Sequence, residues 1–119
     1  MKVLIVDDSP MIAERIAVML SEVSRDIRVV GREGEERAAV RAVGQLKPDV
    51  LVLDLRLASG SGIGTLEQVK RTAPDTTVMV LTNYPYPQYR RRCSELGADF
   101  FFDKSTEFDR LRAAFLRLM

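Results

Sequence analysis

The chain has 119 residues, 18 basic and 17 acidic, for a formal net charge of +1, with 46% hydrophobic and 29% charged residues. This suits a single ordered globular domain over residues 1–119 and leaves no room for a second. The balanced charge argues against a constitutive nucleic-acid or membrane-surface binder, and the absence of His excludes His general bases, His metal sites and a phosphohistidine carrier. Runs as short as Val3–Val6 neither span a bilayer nor make a signal peptide. The single Cys93 permits no intramolecular disulfide and fits a reducing cytoplasm.

Along the chain, short apolar runs end abruptly in polar residues. Val3–Val6 stops at Asp7-Asp8, Val50–Leu53 at Asp54, Val78–Leu81 at Thr82-Asn83, and Phe100–Phe102 at Asp103-Lys104. Apolar runs without alternation read as strands buried on both faces, hence a parallel sheet. A weaker segment, Ile27–Val30, carries Arg28 and stops at Gly31, as an edge strand would. Helical patterns lie between. Ile12, Ile16, Met19, Leu20 and Val23 share a face behind an N-cap at Ser9 and Pro10 at the first helical position. Ala39, Val40, Val43 and Leu46 make a second helix closed by Lys47-Pro48, and a third runs from about Gly62 to Ala73. Pro87 opens a fourth, with Tyr89, Cys93 and Leu96 on one face and Gly97 as C-terminal cap. Phe108, Leu111, Phe115 and Leu118 mark the last, started by Ser105 or Thr106, with Thr106 and Asp109 at capping-box spacing.

Five strands alternating with five helices, (βα)5, give an α/β doubly wound parallel sheet with helices on both faces. In such a sheet the ligand site lies beyond the carboxyl ends of the strands, which is where each strand-ending polar residue falls. Asp7, Asp8 and Asp54 converge there, flanked by Thr82 and Lys104. Two carboxylates about 4 Å apart repel by ~4 kcal/mol at an effective dielectric near 20, and one lysine does not offset three. Either one carboxylate stays protonated or a divalent cation binds. Hard oxygen donors without His or Cys favour Mg²⁺ or Mn²⁺ over zinc. Taken singly, Asp7-Asp8 reads equally as a helix cap, Thr82 as a strand terminator and Lys104 as a solvated loop residue. Asp54 differs, because a charge ending a buried strand requires a partner.

With these residues in place, the chain resembles the receiver domain of two-component response regulators, a flavodoxin-like fold with strand order 2-1-3-4-5. The resemblance covers essentially the whole sequence. It is carried by VLIVDDSP at the start, LVLDLRL around Asp54, Ser61-Gly62, VLTN at Thr82 and FFFDKS at Lys104. It implies that Asp54 accepts a phosphoryl group from the phosphohistidine of a sensor histidine kinase or histidine phosphotransfer protein. It further implies that Asp8, Asp54 and the Arg56 carbonyl ligate Mg²⁺, with Asp7 acting through water. Lys104 would pair with a phosphoryl oxygen, Thr82 would swing to it, and Phe101 would turn inward as the aromatic switch. The change would reach the surface of the fourth helix, fifth strand and fifth helix, whose mixed charges support docking of a downstream effector, a separate output domain or a second copy. No direct nucleic-acid or membrane contact and no output domain within this chain enter this expectation, which places a phosphoacceptor with self-catalysed phosphotransfer and autodephosphorylation, not an enzyme, in the cytoplasm.

Four positions depart from that family's pattern: Ala58 replaces a usual proline, Asn83 follows Thr82 in place of a small residue, Tyr84-Pro85-Tyr86-Pro87 stiffens a segment expected to move, and Phe101 lacks a hydroxyl. Ala58 predicts a less constrained loop, and Asn83 a narrower entrance. Arg56 and Tyr84 occupy positions that modulate phosphoryl lifetime in the family. The alternative is a non-phosphorylated docking module of the same fold. A flavin or nucleotide enzyme fails, since the loop after strand one offers two carboxylates where a cofactor phosphate needs glycines and a helix N-terminus; Gly60-Ser61-Gly62-Ile63-Gly64 is GxGxG after the wrong strand and reads as a flexible loop entering a helix. Arg90-Arg91-Arg92 reads as a solvated face, and Cys93 as core.

Overall fold

A computed structural model describes residues Met1–Met119. The elements run β1 (Lys2–Val6), α1 (Pro10–Val23), β2 (Arg28–Glu33), α2 (Glu36–Leu46), β3 (Val50–Leu53), α3 (Gly62–Thr72), β4 (Thr77–Thr82), α4 (Pro87–Glu95), β5 (Phe100–Asp103) and α5 (Phe108–Leu118). All strand pairs are parallel, in the order β2-β1-β3-β4-β5. No helix is long and apolar enough to cross a membrane.

The uninterrupted apolar strands are explained by two cores, one on each face of the sheet. Val3, Ile5, Val50, Val52, Met79 and Leu81 point to the side covered by α1 and α5. Their neighbours Leu4, Val6, Leu51, Leu53, Val78 and Val80 point to the side covered by α2, α3 and α4, where Cys93 is also buried. Because successive side chains face opposite ways, a strand covered on both faces must be apolar at every position.

Local differences from the sequence reading have local causes. β2 does not stop at Gly31 but continues to Glu33, after a register shift between Val3 and Leu4 that lets Gly31 pack 3.0 Å from the Leu4 side chain at an added-Cβ position. The Thr106–Asp109 capping box does not form. The N-cap of α5 is Glu107, whose carboxylate instead accepts the Asp103 N–H at 2.9 Å. α2 starts three residues before Ala39, at Glu36. Tyr89 stands at the surface, apart from the buried face of Cys93.

The ladder also fixes the first residue beyond each strand. Asp7 N–H donates to Glu33 O, Asp54 N–H to Val6 O, and Lys104 N–H to Thr82 O, at 2.8–2.9 Å. Backbone hydrogen bonding therefore places these polar side chains at one sheet edge before any contact among them is made.

Candidate functional site: the carboxylate cluster at the sheet edge

Asp7, Asp8 and Asp54 each offer a carboxylate oxygen, all within 4.8 Å of one another. Asp7 and Asp54 are buried and Asp8 is exposed. The Lys104 ammonium bridges the two buried acids, 2.8 Å from Asp7 Oδ2 and 2.9 Å from Asp54 Oδ2. Asp7 Oδ1 accepts the Ser9 N–H at 2.8 Å, so the start of α1 helps to hold it. Asp54 Oδ1 faces the Arg56 N–H at 3.5 Å.

The electrostatics reflect this crowding. Burial lifts the Asp7 carboxyl above its usual range, even though hydrogen bonds from Lys104 and the Ser9 N–H pull the other way. Burial pushes the Lys104 ammonium down, but its hydrogen bonds to Asp7 and Asp54 outweigh that and leave its pKa raised. The Lys104 ammonium stays charged, and the cluster opens to solvent through Asp8. Hard anionic oxygens with one exposed side fit a divalent cation that keeps part of its water shell, so the cluster is able to hold a metal.

Around this centre, Thr82 is fully buried, and its Oγ1 accepts the Tyr84 N–H at 3.1 Å. Phe101 is half-buried, with the guanidinium of Arg90 4.5 Å above its ring; Arg90, Arg91 and Arg92 are all exposed. Arg56 is exposed and donates through Nη1 to the Tyr84 hydroxyl at 2.7 Å. That bond joins the β3–α3 loop to the β4–α4 loop across a cleft of about 500 Å³, lined in part by Leu55, Leu57, Ile63 and Tyr89. Asn83 points to solvent.

Two features bear on the loop after Asp54. The Ala58 N–H donates to Gly34 O at 2.9 Å, a bond that proline lacks the hydrogen to make. The glycine-rich stretch is a short loop that enters α3 at Gly62. Ser61 caps α3 by accepting the Gly64 N–H at 2.9 Å, and Gly60 takes a φ of +74° that suits glycine. Sequence reasoning missed Glu36, whose carboxylate accepts the Ser61 N–H at 2.8 Å and Gln68 Nε2 at 2.7 Å. No local signal marked it, because the partners of Glu36 lie 25 and 32 residues further along the chain.

Residues 3–116 match the model of the response regulator receiver domain. The chain is 36% identical over 105 residues to the response regulator protein VraR of Staphylococcus saprophyticus and 33% identical to VraR of Staphylococcus aureus. These matches cover 88% of this chain and 50% of each relative, so the chain spans about half the length of the curated relatives it matches. Among solved structures, RcsB of Salmonella typhimurium superposes with a TM-score of 0.89 at 26% identity, covering 99% of this chain and 58% of that one. The response regulator domain of Thermotoga maritima CheB gives 0.79 at 25% identity, covering 99% and 92%. With the strand order, the cluster at the sheet edge and these relatives in agreement, the chain belongs to the response regulator receiver domain family of two-component signalling.

Proposed function

We propose that residues 1–119 act as a phosphorylation-controlled switch in which Asp54 is the acceptor. The observation that carries this reading is the Asp54 carboxylate held at the sheet edge by a buried lysine, beside two further acids. An Asp54 oxygen attacks phosphorus in line on the phosphohistidine of a sensor histidine kinase or phosphotransfer protein. The P–O bond forms as the P–N bond breaks, and the electron pair returns to the imidazole. Asp8, Asp54 and the Arg56 carbonyl would hold Mg²⁺, with Asp7 acting through water; when bound, it supplies positive charge to the phosphoryl oxygens. Lys104, already in contact with Asp54 Oδ2, shifts to a phosphoryl oxygen as charge builds there.

Thr82 then gives up the Tyr84 N–H and donates its hydroxyl to the phosphoryl group, and Phe101 follows inward, leaving Arg90. The new contacts bias a two-state equilibrium and alter the α4, β5 and α5 surface. A downstream effector, a separate output domain or a second copy reads that change.

The test is incubation with Mg²⁺ and a small acyl-phosphate donor, followed by intact mass, beside Asp54→Asn. The expected result is one added phosphoryl group in the wild type and none in the variant. No gain from either the small donor or a phosphorylated kinase refutes the switch and leaves a constitutive docking module.

A further inference from the structure

The glycine-rich stretch Gly60–Gly64 does structural work that the proposed reaction leaves unexplained. A Cβ added at Gly60 would lie 2.5 Å from the Glu36 Cβ, and one at Gly64 would lie 2.5 Å from Glu36 Oε1. Both glycines are therefore bare where the first residue of α2 presses against the start of α3. Between them, Gly62 lies against the acceptor itself: an added Cβ would meet the Asp54 carbonyl oxygen at 2.1 Å and the Leu55 Cα at 2.5 Å. The Gly62 N–H donates to Leu55 O at 2.8 Å, and Arg56 bridges to Ser61 in antiparallel fashion.

These contacts form a continuous path. The Glu36 carboxylate takes the Ser61 N–H, an orphan donor at the N-terminal end of α3 where an anion is favoured. Ser61 and Gly62 hold Leu55 and Arg56, whose N–H faces Asp54 Oδ1. The Glu36 N–H donates in turn to Ser59 O, and Gly34 O receives the Ala58 N–H. The β2–α2 junction thus grips the whole loop after the acceptor. We infer that Glu36 is a positioning residue for Asp54: by fixing the loop that carries the Arg56 carbonyl, it sets the affinity of the carboxylate cluster for Mg²⁺. This rests on the Mg²⁺-dependent acceptor reading above. It accounts for Ala58 as well, since the grip supplies the constraint that a proline would otherwise give.

Two perturbations reach the same contact from opposite sides. Glu36→Ala removes the carboxylate, and Gly64→Ala displaces it. Mg²⁺ titrations followed by the Asp54 and Leu55 amide resonances give the dissociation constant in the folded protein, and urea unfolding is recorded beside them. Glu36→Ala and Gly64→Ala are expected to weaken Mg²⁺ by about 10-fold or more, the scale of groups that orient metal ligands. Glu36→Gln, which keeps an acceptor for the Ser61 N–H, stays within about 3-fold of wild type. In the Glu36→Ala background Gly64→Ala should add nothing, because the atoms it collides with are gone. A purely structural role lowers the urea midpoint and leaves the Mg²⁺ constant unchanged, which overturns the inference, as does additivity of the two changes. Should Glu36→Ala not fold, Gly64→Ala and Glu36→Gln carry the comparison. Wild-type protein that takes no Mg²⁺ overturns the functional reading; wild type that binds it no better than the folded variants overturns this inference alone.

Discussion

Replacing Gly62 by alanine should damage this protein far more than a one-methyl change inside a helix normally does. The added Cβ would sit 2.1 Å from the Asp54 carbonyl oxygen and 2.8 Å from the Asp54 carbonyl carbon, both backbone atoms with no rotamer to yield. Relief to 3.0 Å requires α3 and the Asp54 peptide to separate by about 0.9 Å. The same shift would stretch the 2.8 Å bond from Gly62 N–H to Leu55 O beyond hydrogen-bond range. Overpacking costs about 1–3 kcal/mol and the lost bond about 1 kcal/mol, for a sum of roughly 2–4 kcal/mol. With a urea m-value of about 1.5 kcal/mol/M, the midpoint should fall by about 1.3–2.7 M. Gly44→Ala is the matched control, because Gly44 lies within α2, is exposed, and its Cβ would meet nothing within 4 Å. Relief from glycine's helix penalty should stabilise it by about 0.5–1 kcal/mol, raising the midpoint. A Gly62→Ala midpoint within about 0.3 M of wild type at unchanged m, or both variants moving the same way, would refute the reasoning.

Two pH-dependent outcomes follow from burial. The Asp7 carboxyl is lifted above its usual range chiefly by desolvation, so the fold prefers it protonated: that contribution is complete below its ordinary pKa of 3.8 and is lost as pH rises through the folded value. Asp7→Asn should therefore raise the urea midpoint at neutral pH, with the gain shrinking as acid protonates the wild type, and a lower midpoint at neutral pH would contradict it. Burial also pushes the Cys93 thiol up to about 11. A chromogenic disulfide at about pH 9, where an ordinary thiol is half ionised, should leave native Cys93 unmodified and titrate one thiol after unfolding. Stability should decline as pH rises from 9.0 toward 11, and rapid native modification would show that Cys93 is not in the core.

The amino-acid sequence by itself determined the fold and the location of the cluster. Unbroken four-residue runs such as Val50–Leu53, alternating with helical patterns, read as strands covered on both faces, and parallel strands joined by helices bring every strand end to one edge. Asp7, Asp8, Asp54, Thr82 and Lys104 were legible because each interrupts an apolar run at that edge. What only the tertiary structure decided is how distant segments meet there. Lys104 pairs with Asp7 and Asp54 across 97 and 50 residues of chain, and Arg56 finds Tyr84 28 residues away. The Glu36 grip on the loop after Asp54 was likewise invisible, since Glu36 looks in sequence like any acid in the first turn of a helix. The limits have one physical cause. Periodicity records which face of an element is buried, which is a local property of the chain, whereas the partner of a polar side chain depends on the packing of elements far apart in sequence.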